Sequence, residues 1–193
     1  MERLKGKIAI ITGAASGMGK EHARLFVKEG ARVVITDVNE ADGKALELEL
    51  GQEHALFLKH DVSKLAEWEQ VVVETENKFG PVNILVNNAG IGQMVSIEDL
   101  TEENYRQVIS INQDGVVFGM HSVVNSMKKG TSGSIINISS TAGLAGIKSC
   151  VAYCASKFAV RGMTKAAALD LAQYNIRVNS VHPGLVDTPI LST

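Results

Sequence analysis

The chain has 193 residues, of which 45% are hydrophobic and 21% are charged. This length and composition predict one globular domain, residues 1–193, with a substantial hydrophobic core. The 19 basic and 21 acidic residues leave a formal net charge of -2, which argues against a nucleic-acid partner or an anionic membrane surface. No apolar run is long enough to cross a bilayer and the first residues do not resemble a signal peptide, so we expect a cytoplasmic protein.

Short apolar runs alternate with helix-like segments along the whole chain. Strands are predicted at residues 8–12, 32–36, 55–59, 83–86, 134–138 and 176–181. Helices are predicted at residues 20–28, 40–50, 65–79, 101–127 (interrupted or bent at 112–115) and 151–173. Such alternation is typical of a parallel sheet covered by helices on both faces and joined by right-handed crossovers. The sequence therefore predicts an α/β fold with a doubly wound parallel sheet.

The turn that follows the first strand is rich in glycine. It reads Thr-Gly-Ala-Ala-Ser-Gly-Met-Gly from Thr12 to Gly19 and leads into a predicted helix. Glycine allows a tight turn and a close approach of the backbone to a phosphate, and the N-terminus of a helix favours a pyrophosphate. We therefore predict a dinucleotide site that includes Gly13, Ser16, Gly17, Met18 and Gly19. An ordinary strand-to-helix turn is the alternative, because a glycine pattern alone is weak evidence.

An aspartate ends the second predicted strand. Asp37 lies where a carboxylate can accept hydrogen bonds from both ribose hydroxyls of an adenosine and repel a 2′-phosphate. No arginine occupies Ala14, Ala15 or the position after Asp37, so the pattern favours NAD over NADP. The alternative is an aspartate that only caps its own loop.

Further motifs follow in a fixed order: Asn87-Asn-Ala-Gly90, Asn112, Ser140, Tyr153-x-x-x-Lys157 and Pro183-Gly184. Tyr-x-x-x-Lys alone is weak, because helices place such pairs on one face by chance. Together with the glycine-rich turn, these motifs resemble those of the short-chain dehydrogenases/reductases over residues 5–189. The three-residue gap between the first two glycines resembles the compact subtype, and the bacterial NAD-dependent hydroxysteroid and secondary-alcohol dehydrogenases within it look most similar.

The resemblance implies catalytic roles for Asn112, Ser140, Tyr153 and Lys157. Tyr153 matches the general acid/base of the family. A phenol, with an ordinary pKa of about 10, needs a nearby positive charge to ionise at neutral pH, and Lys157 and an oxidised nicotinamide are the candidates. Ser140 matches the residue that hydrogen-bonds the substrate oxygen. Lys157 also matches a contact to the nicotinamide ribose, and Asn112 matches a helix-kink residue that holds a water near Lys157.

The same resemblance extends the predicted cofactor site. The added positions match contacts to adenine, the riboses and the nicotinamide carboxamide, and they are Asp61, Val62, Asn88, Ala89, Gly90, Tyr153, Lys157, Pro183, Gly184 and Thr188. Residues 87–90 have a structural alternative, because they also stabilise the central sheet. His182 is interpreted as structural. The histidines show no metal-ligand spacing, and Cys150 and Cys154 are interpreted as free thiols, so neither a metal nor a disulfide is predicted.

With the resemblance, the sequence predicts strand order 3-2-1-4-5-6 and an NAD-dependent oxidoreductase that interconverts a small-molecule secondary alcohol and a ketone. Two alternatives remain: a catalytically impaired nucleotide-binding or regulatory protein of the same fold, and an epimerase or dehydratase, which the glycine spacing disfavours. Members of this subtype continue beyond the segment that matches Thr193, so we expect the seventh strand and the substrate lid to be missing. A homo-oligomer, dimer or tetramer, is expected to pair the helix after Tyr153 with the long helix before residue 134.

Overall fold

A computed structural model describes residues 2–188, so Pro189, the last position of the family resemblance, lies outside the described residues. Its centre is a six-stranded parallel sheet in the order β3-β2-β1-β4-β5-β6. The strands are β1 (Ile8–Thr12), β2 (Arg32–Asp37), β3 (Ala55–Lys59), β4 (Ile84–Asn87), β5 (Gly133–Ile138) and β6 (Ile176–Val181). The predicted strand order is confirmed.

Between residues 2 and 188, six α-helices cover the two faces of this sheet. They are α1 (Gly17–Lys28), α2 (Glu40–Leu50), α3 (Leu65–Lys78), α4 (Glu102–Ile109), α5 (Gly115–Lys129) and α6 (Val151–Leu171). Helices α1 and α2 pack on one face and α3, α5 and α6 on the other. Side chains of β1 alternate between the two faces. Ala9 and Ile11 belong to the core under α1 and α2, and Ile10 belongs to the core under α3, α5 and α6. This explains the continuous apolar run of β1, because both of its sides are buried.

The predicted bend of the long helix before β5 is confirmed and has a specific form. Between α4 and α5 the backbone adopts a π-helical turn over Ser110–Asp114. A π-turn widens the helix by one residue, and such turns occur frequently at functional sites. Asn112 lies at the middle of this turn with no exposed surface, so the widening directs a polar side chain into the interior.

One helix begins earlier than its pattern indicates. Helix α1 starts at Gly17 rather than at residue 20. The reason is the positive φ of Gly13 (61°) and Gly17 (52°), which turns the chain so sharply that the helix begins inside the glycine-rich segment. No helix between residues 2 and 188 has the length and apolar character of a membrane-spanning segment.

Candidate active site at the carboxyl edge of the sheet

A cavity of about 570 Å³ opens beyond the carboxyl ends of the central strands. Most of the residues predicted to bind the cofactor line it: Gly13, Ser16, Gly17, Met18, Asp37, Asp61, Val62, Asn88, Ala89, Gly90 and Thr188. The lining also includes residues that no motif indicated: Val38, His60, Ile91, Gly92, Gln93, Gln107 and Ile111. Of these residues, only Val38 could have been predicted from the sequence, because it directly follows Asp37. The structure thus brings segments far apart in sequence to one edge of the sheet.

The glycine-rich turn forms one wall, and its glycines are required by close backbone contacts. A Cβ atom on Gly13 would lie 2.7 Å from the Cα of Ala89, and one on Gly19 would collide with the carbonyl oxygen of Gly13. Ser16, the N-cap of α1, makes no side-chain capping bond within residues 2–188. The first amides of α1, which no helical carbonyl can satisfy, therefore remain available to an anion.

Asn88 holds this turn against the end of β4. Its side-chain amide donates to the carbonyls of Thr12 (2.9 Å) and Gly13 (3.1 Å). The hydroxyl oxygen of Thr12 in turn accepts the backbone amides of Asn88 and Ala89, both at 3.0 Å. The side chain of Asn88 therefore has the structural role that was the alternative for residues 87–90, because it joins β4 to the glycine-rich turn. The residue also lines the cavity.

Asp37 makes the contacts of the loop-capping alternative and also lines the cavity. Its carboxylate accepts the backbone amides of Ala15 and Asn39, both at 3.0 Å, as a loop-capping aspartate does. A carboxylate can accept about four hydrogen bonds, so capacity remains on the cavity side. Asp37 therefore both ties the glycine-rich turn to β2 and presents negative charge to the cavity.

Asp61 and Val62 form the opposite end of the cavity. One carboxylate oxygen of Asp61 accepts the amide (3.1 Å) and the hydroxyl (2.7 Å) of Ser63. Burial raises the pKa of Asp61, but the hydrogen bonds from Ser63 and Lys64 outweigh it and the net pKa is lowered. The carbonyl of Val62 accepts the indole N–H of Trp68 at 2.9 Å. Asp61 is thus an anchored, ionised carboxylate at neutral pH.

The predicted catalytic side chains meet where β5 ends and α6 begins. Ser140 caps a short 3-10 turn (Thr141–Gly143), and its hydroxyl oxygen accepts the amide of Ala142 at 3.1 Å. The same hydroxyl lies close enough to the phenol of Tyr153 to lower the pKa of that phenol. The neighbouring Ser139 points elsewhere, because its hydroxyl donates to the carbonyl of Lys157 at 3.0 Å.

Lys157 lies beneath the Tyr153 ring. Its Nζ atom is 5.5 Å from the ring centroid and donates to the carbonyl of Ile138 at 2.9 Å. The residue is only 4% exposed, and burial lowers the pKa of its ammonium group to about 8. A serine, a tyrosine and a lysine thus form one contiguous group.

The pKa of Tyr153 differs from the expectation that Lys157 lowers it. Burial raises the pKa of the phenol, and the hydrogen bond from Ser140 offsets only part of that rise. The thiols of Cys150 and Cys154, which are free, add to the rise when they ionise. The ammonium of Lys157 donates its hydrogen bond to the carbonyl of Ile138.

The family model described as short chain dehydrogenase matches residues 7–193 of the chain. The chain belongs to the short-chain dehydrogenase family. Enzymes of this family are oxidoreductases that use a nicotinamide cofactor, and three curated relatives illustrate their range.

The first relative is the 3-alpha-(or 20-beta)-hydroxysteroid dehydrogenase of Mycobacterium tuberculosis, 47% identical over 97% of this chain and 72% of its own length. The second is the NADP-dependent (R)-specific alcohol dehydrogenase of Lentilactobacillus kefiri, 48% identical over 98% of this chain and 77% of its own length. The third is the trans-4-hydroxycyclohexanecarboxylate dehydrogenase of Sinomonas cyclohexanicum, 45% identical over 98% of this chain and 76% of its own length.

Asn112 fixes the loop that follows β4 in this short-chain dehydrogenase. Its side-chain oxygen accepts the amide of Ile91 (2.8 Å), and its side-chain nitrogen donates to the carbonyl of Ile91 (2.9 Å) and to the hydroxyl of Ser156 (3.3 Å). A Cβ atom on Gly90 would lie 3.2 Å from the Asn112 oxygen and 3.6 Å from Nζ of Lys157. The side chains of Asn112 and Lys157 therefore both lie next to Gly90.

The segment after β6 completes the surroundings of the dehydrogenase site. The carbonyl of Pro183 accepts the amide of Thr141 at 3.0 Å, next to Ser140, whereas Gly184 is exposed. The hydroxyl of Thr188 donates to the carbonyl of Val186 at 3.2 Å. Gly19, Tyr153, Lys157, Pro183 and Gly184 do not line the cavity itself, so the cavity corresponds to only part of the predicted cofactor site.

Proposed function

We propose that this short-chain dehydrogenase interconverts a secondary alcohol and a ketone with NAD as its cofactor and Tyr153 as its general acid/base. The observation that carries the proposal is the grouping of the Ser140 hydroxyl and the Tyr153 phenol, which lie close to each other, with a buried Lys157 whose Nζ atom is 5.5 Å from the centroid of the Tyr153 ring. A hydroxyl and a phenol that lie close to each other can both reach one oxygen atom of a substrate. Oxidation of a secondary alcohol uses a proton acceptor and a hydrogen-bond donor at the substrate oxygen, and these two groups can supply them.

Each of these side chains has a distinct task in the proton transfer. In the oxidation direction Tyr153 accepts the proton of the substrate hydroxyl, and in the reduction direction it returns that proton. The Ser140 hydroxyl donates a hydrogen bond to the substrate oxygen as charge develops on it. Lys157, whose pKa of about 8 leaves most molecules charged at neutral pH, supplies positive charge close to the phenol.

The residues around the cavity fit a dinucleotide. Gly13 and Gly19 allow the glycine-rich turn to pack closely against Ala89 and against its own backbone, where a side chain would collide, and the uncapped start of α1 presents backbone amides beside the cavity. A pyrophosphate suits such a cradle. When bound, the nicotinamide supplies the hydride acceptor or donor, and in its oxidised form it adds positive charge near Tyr153.

The choice of NAD over NADP rests on Asp37. Its carboxylate faces the cavity beside Ala15 and Val38, where it can accept the ribose hydroxyls of adenosine and repel a 2′-phosphate. The Lentilactobacillus relative is named as NADP-dependent, so cofactor preference differs within this group of similar enzymes. For this chain, the negative charge at Asp37 supports NAD.

The substrate is proposed to be apolar around its carbinol. Exposed apolar side chains occur on the segments that flank Ser140 and Tyr153: Met94, Ile97, Leu144, Ile147 and Leu185 lie outside the helices and strands, and Val151 begins α6. A bridge between Val95 and Cys150 joins the loop after β4 to the start of α6, which brings two of these segments together. Hydroxylated rings occur in the names of two of the relatives, and such molecules would cover this surface.

The proposal is tested by following NAD reduction with a panel of secondary alcohols, including hydroxysteroids and cyclohexanols. We expect Tyr153→Phe to lower kcat at least 1,000-fold while NADH still binds, because the ring is kept and only the proton acceptor is lost. Tyr174→Phe is the matched control, since Tyr174 lies before β6 at the opposite edge of the sheet. A Tyr153→Phe variant with the wild-type rate would refute the mechanism.

A further inference from the structure

His182 directly follows β6 and connects that strand to Ser140. Its Nδ1 atom lies 3.1 Å from the carbonyl oxygen of Ser140, and its Nε2 atom lies 3.0 Å from the hydroxyl of Ser180. None of the catalytic or cofactor-binding roles considered so far involves this histidine. Both of its ring nitrogens nevertheless have partners, and one partner belongs to the catalytic Ser140.

The two contacts define the tautomer of the imidazole. A carbonyl oxygen can only accept, so Nδ1 must carry the proton that it donates to Ser140. In the neutral ring Nε2 is then an acceptor, and the Ser180 hydroxyl donates to it. Ser180 therefore fixes both the orientation of the ring and the nitrogen that faces Ser140.

The carbonyl of Ser140 is held from two directions. It accepts the amide of Gly143 at 2.9 Å as well as Nδ1 of His182. The residues on either side of Ser140 are also bonded to the segment around His182, because the amide of Ser139 donates to Val181 (2.8 Å) and that of Thr141 to Pro183 (3.0 Å). Of these bonds, the one from His182 is made by a side chain, so it can be removed by substitution.

We propose that His182 is a positioning residue that orients Ser140 for catalysis, an inference that rests on the proposed function of Ser140. By fixing the Ser140 carbonyl, the imidazole fixes the plane of the Ser140–Thr141 peptide, from which the 3-10 turn starts. This turn places the amide of Ala142, which donates to the Ser140 hydroxyl at 3.1 Å. The hydroxyl is thereby directed at Tyr153 and at the substrate oxygen. His182 itself does not touch the reacting atoms.

A purely structural histidine at the end of β6 is the competing explanation, and a double-mutant cycle separates the two. Four forms of the full chain are compared: wild type, His182→Ala, Ser140→Ala and the double variant. If His182 acts through Ser140, we expect His182→Ala to lower kcat about 10-fold in the wild type but less than 2-fold when Ser140 is already alanine. A structural role would cost the same factor in both backgrounds.

Further measurements make the cycle specific. NADH affinity of His182→Ala should stay within 3-fold of wild type, because both ring nitrogens of His182 are engaged by Ser140 and Ser180 and the residue is not among those assigned to the cofactor. The pH midpoint of alcohol oxidation should rise in His182→Ala, since the Ser140 hydrogen bond that lowers the pKa of Tyr153 is weakened. His182→Asn, whose amide can donate near the Nδ1 position, should restore most of kcat. His54→Ala, an exposed histidine at the start of β3, is the control and should match wild type.

The outcomes distinguish the two levels of the argument. Equal losses from His182→Ala in both backgrounds, or a kcat within 2-fold of wild type, would overturn the positioning role and leave the proposed function intact. Wild-type activity in Tyr153→Phe would overturn the proposed function itself, and the positioning role with it. If His182→Ala does not fold, His182→Phe, which keeps a ring but cannot donate a hydrogen bond, replaces it in the cycle: a loss of kcat confined to the Ser140 background supports the inference, and equal losses in both backgrounds or a kcat within 2-fold of wild type overturn it.

Discussion

The buried imidazole of His60 is expected to make the fold sensitive to mild acid. His60 is 1% exposed, its Nδ1 atom lies 3.0 Å from the hydroxyl of Thr36, and its ring meets Trp68 edge-on with centroids 4.5 Å apart. Burial lowers the pKa of His60 to about 4, although the charges of Glu67 and Asp61 act in the opposite direction. In the unfolded chain its pKa returns to about 6.5.

The size and sign of the effect follow from these two pKa values. Between about pH 6.5 and 4 the unfolded chain binds a proton that the folded protein does not, so the free energy of unfolding falls as the pH falls through this window. Each unit of pKa difference is worth about 1.4 kcal/mol, which gives about 3 kcal/mol in total. About 2 kcal/mol of it is lost between pH 7.5 and pH 5.

The assay is urea unfolding of wild type and His60→Leu at both pH values. We expect wild type to lose about 2 kcal/mol more than His60→Leu on acidification, because leucine does not titrate. Loss of the Thr36 contact lowers the stability of the variant at both pH values, so the change with pH is the quantity compared. His54→Leu is the control, since the side chain of His54 is 53% exposed. Equal pH dependence in wild type and His60→Leu would refute the reasoning.

Three further predictions concern the cofactor and the assembly. Asp37→Ala should narrow the preference for NAD over NADP at least 10-fold, measured by calorimetric titration of both; an unchanged ratio would contradict the assignment. Gly19→Ala should lower NADH affinity at least 10-fold because its Cβ collides with Gly13, whereas Gly162→Ala, which has nothing within 4 Å, should leave affinity unchanged. Leu169 and Phe158 are exposed on α6, where we expect the dimer interface. Leu169→Glu should therefore convert the dimer to a monomer in light scattering. A wild-type protein that is already monomeric would contradict the expected dimer.

The sheet and most of the cavity were accessible from the sequence because they depend on local patterns. Apolar runs such as Ile8–Thr12 indicate buried strands, and the glycines at 13, 17 and 19 indicate a turn that only they can form. Gln107 and Ile111 could not be found, because their place in the cavity depends on how α4 packs against the sheet. The directions taken by the Asn88 amide and the Lys157 ammonium likewise depend on carbonyls supplied by Gly13 and Ile138.

The opposite pKa shifts of Tyr153 and Lys157 lead to a final prediction about the two directions of the reaction. Burial raises the pKa of the phenol and lowers that of the ammonium, so both neutral forms are favoured inside the site. Alcohol oxidation needs the ionised phenol and ketone reduction needs the neutral one. We therefore expect kcat for oxidation to rise from pH 6 to pH 9 and kcat for reduction to fall over the same range, measured with saturating cofactor. A common pH profile in both directions would show that a group other than Tyr153 carries the proton.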